Sequence, residues 1–354
     1  MPESWQPTDG PAYRAVELVL EGNCAKQIAD ILYGHHTPKE HGRVASLLKH
    51  AKKQKLLKLR PPIKIDLQLQ LAARFPGPVA FHVVNNDYVA FIENPVADEI
   101  FRGEAICRKA AEIVAQRIVA LLQDKKRDPQ KPIIIANAGG LAVSRVVRFL
   151  AESKNLPVIA DPRRLLFISL NSASMPSDYG RSANTLAVRL SEIFGGQHLA
   201  LCPIWPDDVK KAYDHAVRHI DLLICGAGTE HGILFTWLRQ NAGIKLPAEA
   251  VGDICLLPIS ATGDEVSLEK QAPRRVRETL NPHPTYLDLQ ALASRDSVIY
   301  VAMGYQADDR RPDPAALNRP KHSKLAVTQA ILKHTLARTC ILGTTLARDL
   351  LEAP

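Results

Sequence analysis

Residues 35–62 read HHTPKEHGRVASLLKHAKKQKLLKLRPP and set the organisation of the chain around them. The segment holds eight Lys or Arg residues against one Glu, and apolar residues recur at helical spacing between Val44 and Ala51. This spacing predicts an amphipathic helix. Thr37–Pro38 is a favoured pair of cap and first-turn residues, so the helix is expected to run from there to about Lys55.

Two shorter helices are predicted in front of the basic one. The first lies in PAYRAVELVLEG and is ended by Gly22, and the second lies in CAKQIADILYG and stops at Gly34. Glycine commonly follows the last residue of a helix. Three short helices, of which the third is basic, predict a helix-turn-helix unit, whose third helix enters the major groove of DNA.

Two groups of residues on the third helix are predicted to contact DNA. Side chains near the start of such a helix reach base edges, and polar or basic side chains along it contact phosphates. The predicted base contacts are Lys39, Arg43 and Ser46. The predicted phosphate contacts are Lys49, His50, Lys52 and Lys53. The alternative is a solvated basic face on an ordinary helix.

Composition describes a folded chain of 354 residues, 46% hydrophobic and 23% charged. This length suits one small module and one larger domain. No run of 18 apolar residues appears, and the N-terminus MPESWQPTDG lacks the order of a secretory signal, so a cytoplasmic protein is expected. The six cysteines show no CxxC spacing, which predicts neither disulfides nor a zinc cluster.

Positive charge is concentrated in the predicted small module. The whole chain carries a formal charge of +8. Residues 22–64 contain ten Lys or Arg and two acidic residues, so this segment accounts for all of it. A charge confined to one module is typical of a polyanion partner, here double-stranded DNA.

After the proline-containing linker LRPPIKID the pattern changes to apolar strands that alternate with amphipathic helices. Strands are predicted at 79–84, 132–137, 165–170, 198–203, 221–226, 254–259, 297–303 and 339–344. Helices are predicted at 104–123, 141–153, 183–194, 207–218 and 230–240. This alternation predicts a mostly parallel α/β sheet covered on both faces. The predicted domains are therefore 11–60 and 65–354.

Four glycine loops follow or precede predicted strands, namely ANAGG at 136–140, GAGT at 226–229, VGD at 251–253 and MGY at 303–305. Ligands of parallel sheets bind at the carboxyl ends of the strands, where such loops present backbone N–H groups. One such loop alone is weak evidence for a ligand-binding site. A dinucleotide site is disfavoured, because His231 stands where the third glycine of the fingerprint belongs.

Several of these segments resemble the SorC family of bacterial sugar-responsive transcriptional regulators. The resemblance is carried by VASLLKHAKKQKLLKL at 44–59, CAKQIADIL at 24–32, HIDLLICGAGT at 219–229 and AVGDICLLPISATGDEV at 250–266. It covers most of 11–354 in the order of the family. It implies a second domain with the fold of phosphosugar isomerases and deaminases, used to bind a sugar or sugar phosphate effector and to form a dimer or tetramer.

The sequence departs from the family pattern at the turn and in the effector loops. The turn before Val44 is about five residues longer, and Ala45–Ser46 replaces the usual Ser-Arg. Leu141 and Ala142 replace the hydroxyl residues that follow the glycines of the phosphate loop. These changes imply an altered effector, with an unphosphorylated ligand as one of the options.

The resemblance and the loops together give a predicted set of effector-binding residues. Lys324 and Arg181 are the predicted anion partners within this set. Its members are Asn137, Gly139, Gly140, Asn171, Arg181, Gly226, Gly228, Thr229, Gly252, Asp253, Gly304 and Lys324.

The expected function is a transcriptional regulator whose affinity for operator DNA is controlled by a sugar-derived or other small effector. No catalysis, cofactor or metal is expected; His215 and His219 have metal-ligand spacing but read as a solvated helix face. One alternative is an isomerase- or deaminase-like enzyme with a basic appendage and Asp253 as general base. Another is an oligomeric binding protein that does not act on DNA.

Overall fold

The computed structural model describes residues 7, 9–20, 23–54, 63–75, 77–85, 95–153, 156, 159, 161–170, 179–199, 207–241, 248–266, 286–303 and 323–354. The chain divides into two compact units, one formed by residues 1–61 and 87–94 and the other by 62–86 and 95–354. The assignment of the first unit to DNA and of the second to an effector stays a prediction.

The first unit contains the three predicted helices, α1 (Asp9–Leu20), α2 (Ala25–Tyr33) and α3 (Pro38–Gln54). Their inward-facing apolar residues form one small core, which includes Ile28, Val44 and Leu47. Gly34 ends α2 with φ 76°, a left-handed conformation that glycine adopts without strain. Residues 55–62, at the end of the basic segment, lie outside the described residues.

The second unit alternates strands and helices along most of its length. Its helices are α4 (Ile65–Arg74), α5 (Pro95–Gln123), α6 (Leu141–Glu152), α7 (Ala183–Phe194), α8 (Asp207–Arg218), α9 (Ile233–Asn241), α10 (Tyr286–Ser294), α11 (Leu325–Lys333) and α12 (Thr344–Glu352). Its strands are β1 (Ala80–Val84), β2 (Ile133–Asn137), β3 (Leu165–Ser169), β4 (Gln197–Leu199), β5 (Leu222–Cys225), β6 (Ala227–Thr229), β7 (Ala250–Ile254), β8 (Leu257–Ser260), β9 (Val298–Ala302) and β10 (Thr339–Gly343).

Seven of these strands form one parallel sheet in the order β1-β10-β9-β5-β2-β3-β4. The other three, β6, β7 and β8, form a small antiparallel sheet. Strands β2, β9 and β10 are buried along their whole length, because helices pack on both faces of the large sheet. The predicted fold class, a helix-turn-helix module followed by a mostly parallel α/β domain, is confirmed.

Among the local predictions that differ from the structure, two have a clear physical cause. Residues 254–259 were expected to form one strand, and this is wrong: the chain reverses at Cys255 and Leu256, which have φ 53° and 65°. They form a two-residue hairpin turn between β7 and β8. Helix α4 was not predicted, because IDLQLQL alternates like a strand, yet Leu67 and Leu71 lie buried one turn apart. None of the helices in the described ranges is long and apolar enough to cross a membrane.

Candidate functional site

The outer face of α3 is the candidate DNA-binding surface. Val44, Leu47 and Ala51 point into the core of the first unit. The residues exposed on α3 are Pro38, Lys39, Gly42, Ala45, Lys49, Lys52 and Lys53. The lysines predicted to contact phosphates therefore lie on the accessible side of the helix, and His50 lies at its margin, half-buried.

The start of α3 is held by contacts within the first unit. Thr37 donates a hydrogen bond from its hydroxyl to the buried carboxylate of Glu40. Arg43 Nη1 and His35 Nε2 each lie 3.6 Å from Glu40 Oε1. The hydrogen bond from Thr37 is the main cause that lowers the pKa of Glu40. Glu40 is thus an anionic anchor between the enlarged turn and the helix.

The predicted base contacts occupy different environments. Lys39 is exposed. The guanidinium of Arg43 lies over the ring of Tyr33, 5.6 Å from its centroid, in addition to its pair with Glu40. Ser46 Oγ donates to the carbonyl of Gly42 at 2.9 Å. Arg43 and Ser46 therefore make contacts inside the unit, and direct base contact by any of the three stays a prediction.

The enlarged turn between α2 and α3 is ordered by side-chain contacts. His36 Nδ1 lies 2.7 Å from Asp30 Oδ1, and the rings of His36 and His41 stack with centroids 6.4 Å apart. Within the described part of the chain, no group of three or more His, Cys, Asp or Glu residues could hold a metal ion, either at this turn or elsewhere. The rings of His215 and His219 on α8 stack on each other, 4.2 Å apart.

The candidate effector site lies at the carboxyl ends of the central strands. Because β2, β5 and β9 are parallel and adjacent, their ends meet at one edge of the sheet. Asn137 is the last residue of β2, and Gly226 follows β5. A Cβ on Gly226 would lie 3.4 Å from Ala142 and 3.7 Å from the carbonyl of Val301, so Gly226 fits between the start of α6 and β9.

Asn137 offers an unused acceptor at this edge. The side chain is completely buried, and its Nδ2 donates to the carbonyls of Ala183 at 2.9 Å and Ala138 at 3.3 Å. Its Oδ1 is buried and has no hydrogen-bond partner. A buried acceptor without a partner is unfavourable, so a hydroxyl or N–H of a bound ligand would stabilise it.

In the predicted phosphate loop one backbone N–H and one nearby hydroxyl are already bonded within the protein. Gly140 has φ 109°, and its N–H donates to the carbonyl of Arg181 at 2.8 Å. Ser144 Oγ donates to the carbonyl of Leu141 at 2.9 Å. The structure therefore brings Gly140 and Arg181 together through backbone atoms, and the Ser144 hydroxyl is bonded to the helix backbone.

Strands β6 and β7 position Asp253 beside two of the glycines that are predicted to bind the effector. Gly228 pairs with Asp253, and Thr229 pairs with Gly252. A Cβ on Gly228 would lie 2.2 Å from Asp253 Oδ1, and one on Gly252 would lie 2.4 Å from the carbonyl of Gly228. Both glycines are therefore required for the close approach of these strands to the carboxylate.

Asp253 is a buried carboxyl group with few partners. Its residue is 6% exposed, and its Oδ2 accepts a hydrogen bond from Leu256 N at 3.3 Å. Burial raises the pKa of Asp253 to about 6, against the lowering effects of the Leu256 N–H and of the positive charge of Lys324. At neutral pH the carboxylate is ionised but poorly solvated.

Lys324 directly precedes α11 and is 5% exposed. Burial lowers the pKa of its ammonium to about 8, and the carboxylate of Asp253 acts in the opposite direction. Asp253 and Lys324 lie on elements that pack on each other, since a Cβ on Gly252 of β7 would lie 2.7 Å from Val327 of α11. Among the described contacts, however, no ion pair of 4.0 Å or less joins them.

Two buried residues near Lys324 were missed by the sequence reasoning. Arg145 on α6 is 4% exposed and its Nη1 lies 3.5 Å from the sulfur of Met303. Cys107 on α5 is fully buried, and the charges of Arg145 and Lys324 act on its thiol, whose pKa burial raises to about 12. The position of Arg145 in the apolar run LAVSRVV is the signal by which it could have been found. Asn171 and Gly304 lie outside the described residues.

No protein-family model and no curated protein sequence matches the chain.

Solved structures of bacterial regulators share its fold. The full-length sorbitol operon regulator SorC of Klebsiella pneumoniae aligns over 98% of this chain and 100% of its own, with 15% identity and a TM-score of 0.53. The probable sor operon regulator of Shigella flexneri aligns over 81% of this chain and 99% of its own, with 17% identity and a TM-score of 0.53. A DeoR family transcriptional regulator of Listeria monocytogenes aligns over 81% and 98%, with 16% identity and a TM-score of 0.51. At these identities the likeness concerns the fold, and the chain has the fold that the SorC resemblance implied.

Proposed function

We propose that the protein is a DNA-binding transcriptional regulator whose affinity for an operator is set by a small, sugar-derived effector. The observation that carries this proposal is the row of exposed lysines on the outer face of α3, opposite a packed apolar core. Lys49, Lys52 and Lys53 are the phosphate contacts. Such contacts supply much of the affinity of a protein for duplex DNA.

The first half of α3 suits close approach to the groove. Gly42 and Ala45 are exposed there, and a Cβ on Gly42 would meet no atom within 4 Å. Packing inside the unit therefore does not require the glycine, although glycine inside a helix costs about 1 kcal/mol relative to alanine. A small residue at this position leaves room for DNA, beside the exposed Lys39.

The second unit supplies the effector site. Asn137, Asp253 and Lys324 are buried polar groups at strand ends or beside the glycine strands, and their bonding capacity is only partly used. A ligand that prefers one arrangement of the protein would shift the population of DNA-binding states. Binding to paired half-sites requires at least two copies, so a homo-oligomer in the cytoplasm is part of this proposal.

Salt dependence of DNA binding tests the proposal. Replacing Lys49, Lys52 and Lys53 together by Ala should reduce the slope of log K against log salt by about three, since each phosphate contact releases close to one counterion. The matched control replaces three exposed lysines of the second unit, Lys210, Lys211 and Lys333, and should leave the slope unchanged. An unchanged slope in the α3 variant would refute the DNA-binding assignment.

A second candidate function is proton transfer on a sugar or sugar phosphate. It is favoured by one observation, a buried carboxyl group with a pKa of about 6 at a ligand-binding edge, which suits a general base. Turnover of aldose or ketose phosphates that disappears in Asp253→Asn would support it. The absence of turnover in the wild-type chain would leave the regulator as the better account.

A further inference from the structure

We propose that the turn between α2 and α3 extends the DNA-binding face, and that His36 on this turn contacts a backbone phosphate of DNA only when its imidazole is protonated. Affinity for DNA then rises as the pH falls through the neutral range. This inference rests on the proposed function in one respect, namely that α3 docks on duplex DNA. It adds a contact, and a control by protons, that the lysines of α3 do not provide.

The first step is the position of the turn. It consists of residues 34–37, between the end of α2 at Tyr33 and the start of α3 at Pro38. All four residues of the turn are exposed, and so are the next two, Pro38 and Lys39. Along the chain, the exposed surface of the turn therefore continues into the outer face of α3. Side chains next to the start of a recognition helix lie beside the DNA backbone, because that end of the helix enters the groove.

The second step is the contact that orients His36. Its Nδ1 lies 2.7 Å from Oδ1 of Asp30, which belongs to α2. An ionised carboxylate only accepts hydrogen bonds, so Nδ1 carries the hydrogen of this bond. In the neutral ring the other nitrogen, Nε2, is then an acceptor and cannot bind a phosphate oxygen, which also accepts. Protonation makes Nε2 a donor, and histidine changes its charge readily between about pH 5 and pH 8.

The third step is that Nε2 of His36 is available. The side chain is 44% exposed. Within the described part of the chain, Nε2 takes part in no hydrogen bond or ion pair, whereas Nδ1 is bonded to Asp30. A charged donor beside the exposed lysines of α3 suits a phosphate oxygen, because phosphates accept the largest share of the hydrogen bonds between proteins and DNA.

The fourth step concerns the other titratable groups around the turn. The ring of His41 on α3 stacks on that of His36, with the centroids 6.4 Å apart. Two positive rings this close repel each other, so we expect the stacked rings to take up about one proton together. The carboxylate of Glu40 lies 3.6 Å from both His35 and Arg43, so its negative charge is directed to these two side chains. The proton-dependent contact is therefore assigned to His36.

The pH dependence of DNA binding by the full chain tests the inference. The probe is a random-sequence duplex, because phosphate contacts carry no sequence information. The wild type and His36→Gln should bind with similar affinity at pH 8. From pH 8 to pH 6 the wild type should gain roughly 10-fold in affinity over His36→Gln, the lower end of the range for a hydrogen bond to a charged group. At pH 6 its slope of log K against log salt should also be steeper by about one.

The matched control is His215→Gln, because His215 belongs to another exposed, stacked pair of histidines, on α8. Its pH profile should equal that of the wild type. Circular dichroism at pH 6 and pH 8 separates lost binding from lost folding in each variant. Equal pH profiles of the wild type and a folded His36→Gln would overturn the inference.

A second variant, Asp30→Asn, tests Asp30 as the positioning residue and decides the question if His36→Gln does not fold. The new amide can donate to Nδ1, so that neutral His36 carries its hydrogen on Nε2 and contacts phosphate without an added proton. This variant should bind more tightly than the wild type at pH 8 and should depend less on pH. A wild-type pH profile in Asp30→Asn would overturn the inference.

The failure of this inference differs from the failure of the proposed function. A chain whose binding depends on the lysines of α3, but whose pH profile is unchanged in both variants, contradicts only the histidine contact. A chain that binds no duplex at either pH contradicts both.

Discussion

Replacing Asp253 by Asn should change how the stability of the protein depends on pH. Asn keeps the shape of the side chain and an acceptor for the Leu256 N–H, but it cannot ionise. In the wild type the folded state raises the pKa of Asp253 from 3.8 to about 6. The stability that this carboxyl group contributes is therefore fully present below pH 4 and is lost as the pH rises through about 6.

The magnitude follows from the pKa values. One pKa unit corresponds to about 1.4 kcal/mol, so the rise from 3.8 to about 6 is equivalent to about 3 kcal/mol. Because the group is almost completely buried, solvent screening reduces this value little. We expect the free energy of unfolding of the wild type, relative to that of Asp253→Asn, to fall by more than about 2 kcal/mol between pH 4 and pH 7, which is most of the full effect.

The assay is urea unfolding of both chains at several pH values, followed by circular dichroism. Comparing the two chains at each pH cancels the titration of every other group, as long as the replacement leaves those groups unchanged. The exposed Glu265→Gln variant is the control, and its difference from the wild type should not vary by this amount. The free energies of unfolding of the wild type and of Asp253→Asn could also differ by an amount that is constant within about 0.5 kcal/mol from pH 4 to pH 7. This result would refute the reasoning that burial raises the pKa of Asp253.

Two further predictions follow from the same unit. Gly263→Ala should lower the free energy of unfolding by about 2 kcal/mol or more, since φ is 82° and the new Cβ would lie 1.9 Å from the ring of His334; urea unfolding at pH 7 measures it, and a wild-type midpoint would contradict it. Affinity for the effector, measured by calorimetry, should be highest between pH 6 and pH 8, because Asp253 gains a proton below this range and Lys324 loses one above it. Affinity that is flat from pH 5 to pH 9 would show that the pair is not used. The other titratable groups that act on these two residues stay neutral in this range. Burial raises the pKa of Cys107 and Tyr300, and a hydrogen bond with Cys225, together with burial, raises that of Cys255.

The fold was predictable where local pattern and tertiary packing agree. Helix α7 was predicted with the bounds it has, because Ser182 caps it, Gly195 ends it and its apolar spacing faces the sheet. The hairpin turn at Cys255 and Leu256 was not predictable in the same way. Neither residue is a usual turn former, so the apolar run around them reads as one strand.

The candidate site was predictable in its parts but not in its arrangement. Asp253 and Lys324 were both in the predicted set, the former through a glycine motif and the latter as an anion partner. Nothing in the sequence shows that β7 packs on α11, because Asp253 and Lys324 are distant in the chain and only the fold brings their elements together. Arg145 was missed because a charged residue in an amphipathic helix is read as exposed, whereas it is buried against Met303.

The positions of Asp253 and Lys324 on two different elements show how a ligand bound by both would act on a larger part of the protein. Each charge is buried at a cost comparable with the 1–3 kcal/mol by which allosteric sites are typically coupled. Asp253 belongs to β7, and Lys324 begins α11. These two elements also pack directly on each other, because a Cβ on Gly252 of β7 would lie 2.7 Å from Val327 of α11. A ligand that contacts both residues would therefore act on a hairpin and on a helix that pack against each other. Relief of the burial cost would then favour the one arrangement in which both charges reach the ligand.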